Sequence, residues 1–154
     1  MHLTIRFIGE AATEDVQKII RAMKQTASVC SPFTLSAGGV GVFPSVRKAR
    51  VIWAGVKGQM DHLEKVQITL EKYLDRAGIK APINQFSPHF TLGRFKDRMD
   101  SRALANTIQN FQKYESDPFR VKRMVFFKSD LKPSGAVHTP LFEVEFTDIK
   151  GEKC

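Results

Sequence analysis

The sequence predicts an α+β fold in which three helices are distributed among six strands. Two observations support this class. Apolar residues alternate with period two in some segments and recur at helical spacing in others, and the predicted order of elements is β α β β α β α β β. The 154 residues are enough for one domain with a hydrophobic core. We therefore predict a single domain over 1–154, built from two related halves, roughly 2–80 and 83–149.

The first half carries three of the predicted strands and two helices. Residues 2–8 alternate polar and apolar side chains, which is typical of a half-buried strand. An apolar helical stripe runs from Val16 to Met23, and a second one from Leu63 to Ala77 is closed by Gly78. Between these helices lie the strand-like stretches 32–44 and 51–56. The first stretch contains three glycines that predict a bulge or a close approach to the backbone, namely Gly38, Gly39 and Gly41.

The second half repeats the pattern with one helix and three strands. Residues 89–95 predict a strand, and Leu104, Ile108 and Phe111 predict a helix. Two further strands are expected around 119–127 and 141–146, where apolar side chains are dense.

Composition narrows the setting and the class of partner. The net charge is +8, from 24 Lys and Arg against 16 Asp and Glu, and such a basic surface favours a phosphate-bearing ligand such as RNA. No apolar run of 18 or more residues predicts a membrane span, and no leader peptide is recognisable. The two cysteines, Cys30 and Cys154, have neither disulfide-framework nor metal-ligand spacing, so we expect a reducing, cytoplasmic environment.

A His-x-Thr motif occurs twice, each time in a predicted strand that precedes a helix. Residues i and i+2 of a strand point to the same face, so His2 projects with Thr4 and His89 projects with Thr91. If the two strands lie side by side about a pseudo-twofold axis, both imidazoles and both hydroxyls converge. One such motif is a weak signal that usually marks a half-buried polar position. Two motifs with apolar residues at the same places favour a functional site over coincidence.

Two opposed histidines suit the hydrolysis of a phosphodiester. A neutral imidazole accepts a proton from the attacking water, and an imidazolium donates one to the departing oxygen. An ordinary histidine has a pKa of about 6.5, so both protonation states are populated near neutral pH. Threonine hydroxyls donate to the non-bridging oxygens of the phosphate, where negative charge develops. This chemistry needs neither a metal nor a cofactor.

On these residues the sequence resembles the 2H phosphoesterases, which are named for paired His-x-Thr motifs. The branch it resembles is the RNA 2′,3′-cyclic phosphodiesterases, also labelled 2′-5′ RNA ligases. The similar segments span nearly the whole chain, and they read HLTIRFIGE, GVGVFP, RVIWAGV, SPHFTLGRF and FFKSDLKPSGAVHTPLFEVEF. The resemblance implies a bilobal, pseudo-twofold fold in which two antiparallel sheets line a central basic cleft, with the helices outside.

The resemblance also implies an activity and a set of site residues. The activity is metal-independent hydrolysis of an RNA terminal 2′,3′-cyclic phosphate to a 2′-phosphomonoester. His2 is expected to be the general acid and His89 the base, with Thr4 and Thr91 as phosphate anchors. The expected substrates are RNA ends or nucleoside 2′,3′-cyclic phosphates.

Other candidate substrate contacts each have a structural alternative. Arg6 shares a predicted face with His2, whereas strict alternation puts Arg94 on the face opposite to His89. Phe43 is either a base-stacking ring or a core residue. Ser129 reaches the phosphate or caps a turn, and His138, where the family commonly has tyrosine, lies in the cleft or on the surface. We interpret Trp53 as a core or cleft-wall residue.

One departure from the family concerns the start of the chain. Members usually carry a strand and a helix before the first motif, which here begins at residue 2. We therefore expect an uncovered sheet edge and consider a late start codon, a fragment or a covering partner. Dimerisation would cover the edge; otherwise we expect a monomer. Two functional alternatives stay open at this point: a non-catalytic RNA-binding module, and an enzyme that makes or cleaves 2′-5′ linkages.

Overall fold

The computed structural model describes residues 2–80, 86–132 and 135–148. The chain forms two compact units, each assembled from three stretches of sequence. The first unit comprises Met1–Phe7, Thr34–Met60 and Ile83–Phe119, and the second comprises Ile8–Phe33, Asp61–Pro82 and Arg120–Cys154. Each unit is described by itself below. The organisation of 1–154 as a single domain with two related halves stays a prediction.

The α+β class is confirmed, with three helices and two antiparallel sheets in the described residues. The helices are α1 Thr13–Val29, α2 Met60–Arg76 and α3 Ser101–Asn110. The strands are β1 Phe33–Phe43, β2 Val51–Gly58, β3 His89–Arg94, β4 Phe119–Val121, β5 Arg123–Lys132 and β6 Gly135–Glu145, and a 3₁₀ turn spans Val46–Lys48.

Three predicted strands differ in extent from those observed. Residues 2–8 form no continuous strand, and only Leu3 makes an isolated bridge. The alternation does not persist to Phe7, whose side chain is 65% exposed. The segment 119–127 is divided between β4 and β5, and the last strand begins at Gly135, six residues before the predicted start at Leu141. The last strand includes polar residues such as His138 and Thr139, because the hydrogen bonds between β5 and β6 join backbone groups and do not depend on the side chains.

The first sheet has the strand order β3-β2-β1-β4, and β2 pairs antiparallel with both β1 and β3. One of its faces is apolar and buried, because the side chains of Leu35, Ala54 and Phe90 alternate onto it with exposures of 1%, 4% and 6%. The opposite face carries the polar side chains of both histidine motifs and of β2. The period-two pattern therefore sorts core residues from candidate functional residues.

The glycine-rich strand β1 contains the predicted bulge. The register with β2 shifts between Gly38 and Val40, and Gly39 has a φ of 66°, which favours glycine. The predicted close approach is also present, because the indole of Trp53 lies directly on Gly41. A Cβ atom at residue 41 would overlap this ring.

The second unit packs α1 against the β5–β6 hairpin. The helix buries an apolar stripe that includes Ile19 and Met23, as the helical spacing predicts. The second predicted stripe is buried on α2 at Leu63, Val66, Leu70 and Leu74. Gly78, with a φ of 77°, ends this helix and lets the Ile79 amide bond back to the Leu74 carbonyl at 3.0 Å. In the part of the chain that the structure describes, no helix is long and apolar enough to cross a membrane.

Substituting Gly41 tests the packing of the indole on the sheet. We expect Gly41→Ala to lower the free energy of unfolding by about 1–3 kcal/mol, because the added methyl displaces Trp53. Gly93→Ala is the matched control, since its Cβ would lie 3.7 Å from Ile52, an ordinary contact. Urea unfolding followed by tryptophan fluorescence measures both variants. Equal stability of the two variants would contradict this packing.

Candidate active site

The two His-x-Thr motifs lie side by side in the first unit. Leu3 and Phe90, the middle residues of the motifs, form an antiparallel bridge. Antiparallel register then puts His2 opposite Thr91 and Thr4 opposite His89. In a regular antiparallel pair, opposite Cβ atoms are about 4.5–5.5 Å apart and diagonal ones about 7–8 Å, and His2 and His89 occupy diagonal positions about this bridge.

His89 and Thr91 share the face opposite to buried Phe90, and the bridge at Leu3 puts its neighbours His2 and Thr4 beside them. We call this surface the site face and define it by the motif residues together with those of β2 that alternate onto it. The β2 residues follow from the register, because Trp53 is opposite Thr91 and Gly55 is opposite His89. They are Val51, Trp53, Gly55 and Lys57. His2, Thr4 and Thr91 are exposed, and His89 is half-buried.

The imidazole of His89 is held by a hydrogen bond to a backbone carbonyl. Its Nδ1 lies 2.8 Å from the carbonyl oxygen of Ser87. A carbonyl oxygen only accepts hydrogen bonds, so Nδ1 carries the hydrogen and donates it. In the neutral ring this leaves Nε2 as the atom that accepts a proton. The bond thus selects both the tautomer and the orientation of the ring.

Two aromatic rings pack around the same imidazole. The ring of Phe43 meets His89 edge-on, with centroids 5.1 Å apart and planes at 78°. Trp53 lies 6.2 Å from His89 and 5.1 Å from Phe43 between centroids. These contacts make Trp53 a wall of the site face, one of the two interpretations from the sequence. Phe43 is 37% exposed, so it is not a core residue, and part of its ring is accessible beside His89.

A second bulge changes the position of Arg94. The register between β2 and β3 shifts so that Thr91 is opposite Trp53 while Arg94 is opposite Val51. Leu92 is the extra residue, and opposite residues share a face, so Arg94 lies on the site face with Thr91. The expectation from strict alternation is therefore wrong. Gly93 is the signal in the sequence, because a glycine within a strand often marks a bulge.

Three other predicted contacts are not brought to this motif pair by any register of the described strands. Arg6 is half-buried and follows the bridge at Leu3, so no strand pairing assigns its face. Ser129 and His138 belong to the second unit, where they are opposite each other in β5 and β6. A 2.8 Å hydrogen bond joins Ser129 Oγ to His138 Nδ1. Ser129 lies within a strand, so its interpretation as a turn cap is wrong, and the substrate roles of all three stay predictions.

An ion pair on the site face was not anticipated from the sequence. Lys57 Nζ lies 2.9 Å from Glu115 Oε2, and the hydroxyl of buried Ser36 donates to Glu115 Oε1 at 2.7 Å. These hydrogen bonds lower the pKa of the Glu115 carboxyl, and the bond from Lys57 has the larger effect. The sequence could have indicated that Lys57 lies on this face, because it alternates with Trp53 along β2. It could not have indicated Glu115, which follows α3 and is brought to β1 only by the tertiary structure.

No group of three or more histidine, cysteine or acidic side chains is arranged to hold a metal ion within 2–80, 86–132 and 135–148.

Comparison with known proteins assigns the fold and the family. The chain shares its fold with the crystal structure of a Thermus thermophilus protein, on which it superposes with a TM-score of 0.71 at 24% identity, covering 94% of this chain and 77% of the other. Escherichia coli LigT complexed with 3′-AMP gives a TM-score of 0.70 at 21% identity, covering 96% and 77%. The family model described as the 2′-5′ RNA ligase superfamily matches residues 1–133. The chain belongs to this superfamily.

Two similar curated proteins carry the same name. The RNA 2′,3′-cyclic phosphodiesterase of Methanothermobacter thermautotrophicus is 30% identical over 141 residues, which cover 92% of this chain and 76% of the relative. The protein of the same name from Aeropyrum pernix is 29% identical over 145 residues, covering 94% and 81%.

The tautomer of His89 is directly measurable. We expect ¹⁵N NMR of the neutral ring to show a protonated Nδ1 and an unprotonated Nε2, because the Ser87 carbonyl requires a donor. His62, whose ring stacks on Phe33 at 6.3 Å, serves as an internal reference within the same sample. A neutral His89 that is protonated at Nε2 would contradict the hydrogen bond.

The Glu115 carboxyl gives a second measurement, a titration. Its pKa is lowered in the folded state, so its contribution to stability is present above the unfolded-state pKa and is lost as pH falls through the folded-state pKa. We expect Lys57→Gln to raise the pKa of Glu115 by removing the largest cause of the shift. Carboxyl NMR titration measures this, and an unchanged pKa in the variant would show that the ion pair is not formed.

Proposed function

We propose that this protein is a metal-independent RNA 2′,3′-cyclic phosphodiesterase, which opens a terminal cyclic phosphate to a 2′-phosphomonoester. The observation that supports the proposal is the bridge between Leu3 and Phe90, because these residues are the middle positions of the two His-x-Thr motifs. The names of the relatives support the substrate class.

The proposed reaction uses one histidine as the base and the other as the acid. His89 Nε2 accepts a proton from water as the water oxygen forms a bond to phosphorus. The bond from phosphorus to the 3′ oxygen breaks, and imidazolium His2 donates its proton to that oxygen. The products are a 2′-phosphate and a 3′ hydroxyl. The Nδ1–H of His89 is engaged by the Ser87 carbonyl, so Nε2 is the atom that accepts the proton in this role.

Threonine and arginine side chains complete the proposed phosphate site. Thr4 and Thr91 are the threonines of the two motifs, so a hydroxyl hydrogen from each motif is available to the non-bridging oxygens. Arg94 adds a permanent positive charge to the same face. Arg6, Ser129 and His138 are kept as further proposed contacts.

The accessible ring of Phe43 is proposed to stack on the base of the terminal nucleotide. It lies beside His89, and such stacking is typically worth about 1–3 kcal/mol per base. Stacking does not discriminate strongly between bases, so we propose broad sequence tolerance. The net charge of +8 favours capture of RNA ends, and we propose that the protein acts as a monomer in the cytoplasm.

The decisive experiment is hydrolysis of an oligonucleotide with a 2′,3′-cyclic end in the presence of EDTA. We expect release of a 2′-phosphate, and a loss of about 10²–10⁴ in kcat for His2→Ala and for His89→Ala, since each removes one proton transfer. His62→Ala on α2 is the control histidine and is expected to retain activity.

Other outcomes would replace the proposal. Tight binding of the oligonucleotide without turnover would make the protein a binding module. Turnover that persists in both histidine variants would exclude the acid–base pair. Formation of a 2′-5′ linkage from a cyclic end and a 5′ hydroxyl would mean that the same histidines run the reverse reaction.

A further inference from the structure

Lys57 lies on the site face one step beyond the histidine pair. Strand β2 alternates regularly from Val51 to Lys57, and its residue Gly55 is directly opposite His89. Two residues of a strand span about 7 Å, so the Cα atom of Lys57 lies about that distance from the Cα atom of Gly55 along β2. The lysine therefore belongs to the surface that carries the proposed chemistry.

The structure holds this lysine across the sheet. Its stem runs over Gly38, where Cε lies 2.9 Å from the position that a Cβ would occupy. Glu115 anchors the ammonium at 2.9 Å, and Ser36 anchors Glu115. An ammonium has three N–H donors, so this bond leaves two for another acceptor. The lysine side chain is 48% exposed, which makes those donors accessible to a ligand.

The ring of Phe43 reaches the imidazole of His89 on β3, with centroids 5.1 Å apart, whereas the ammonium of Lys57 reaches back over Gly38 on β1. Gly38 and His89 are both opposite Gly55, so the two groups lie on the two sides of β2. A terminal ribonucleotide has a corresponding arrangement. Its base leaves the ribose at C1′ and its 5′ carbon at C4′, on the two sides of the ring oxygen, while the cyclic phosphate joins the 2′ and 3′ oxygens. With the base stacked on Phe43 and the cyclic phosphate at the histidines, a 5′ phosphate that crosses β2 towards Gly38 would meet the Lys57 ammonium.

We propose that Lys57 binds the phosphate on the 5′ side of the terminal nucleotide and thereby makes the site selective for RNA ends over mononucleosides. This inference rests on the proposed function, because it takes the histidine pair as the place of the cyclic phosphate. The contact is an exposed, charge-assisted hydrogen bond, so it is a specificity determinant and takes no part in the proton transfers.

Binding of two product-like nucleotides tests the proposal without turnover. Adenosine 2′-monophosphate lacks the 5′ phosphate, and adenosine 2′,5′-bisphosphate carries it. We expect the wild-type protein to bind the bisphosphate about three- to tenfold more tightly by calorimetry at low salt. Lys57→Gln is expected to abolish that preference while leaving the affinity for the monophosphate unchanged.

The control is Lys65→Gln on α2, which removes the same net charge from an exposed position. We expect it to keep the wild-type preference, which separates a local contact from the general attraction of a basic protein. The proposal is overturned if the wild-type protein has no preference, if Lys57→Gln keeps it, or if both affinities fall equally. The same samples are assayed for hydrolysis of a nucleoside 2′,3′-cyclic phosphate that lacks a 5′ phosphate. This assay tests the proposed function independently of the Lys57 contact.

Discussion

The antiparallel pairing of Leu3 with Phe90 is the contact on which the candidate chemistry depends. It joins segments that are more than eighty residues apart in sequence, and it does so through the residues between each histidine and threonine. Phe90 is 6% exposed, so the hydrophobic effect holds this position of β3 against the core. His89 and Thr91 are consequently held on the other face, so the core and the candidate site use alternate residues of β3.

Irregularities in two strands shape the site face as much as the pairing does. The bulge at Gly39 and the bare backbone of Gly41 make room for the indole of Trp53, which packs beside His89. The bulge at Leu92 moves Arg94 onto the face of the histidines. Each bulge costs some regular hydrogen bonding, but it places a side chain where an ideal strand would not.

The two cations assigned to this face, Lys57 and Arg94, have different neighbours. Lys57 is partly compensated by Glu115, whereas Arg94 has neutral Thr91 and Val51 as its neighbours in the register. The lysine side chain packs over Gly38 and ends at the Glu115 carboxylate, and these two contacts restrict its path. The ion pair itself is exposed, so it contributes little to stability. Such a restriction favours recognition of one substrate geometry over another.

The class of fold, most elements and the two histidine motifs followed from the sequence, because period-two and helical spacing record which side chains the core accepts. The residues over 2–8 were predicted as a continuous strand, but only the bridge at Leu3 forms, since local alternation carries no information about how far a partner strand extends. The last strand is longer than its apolar residues predict, because backbone pairing in the β5–β6 hairpin continues through polar residues. Only the tertiary structure decided the neighbours of His89, the face of Arg94 and the pairing of Lys57 with Glu115. Those outcomes depend on strand register and on loops distant in sequence, and a shift of one residue in register reverses the face of every side chain that follows.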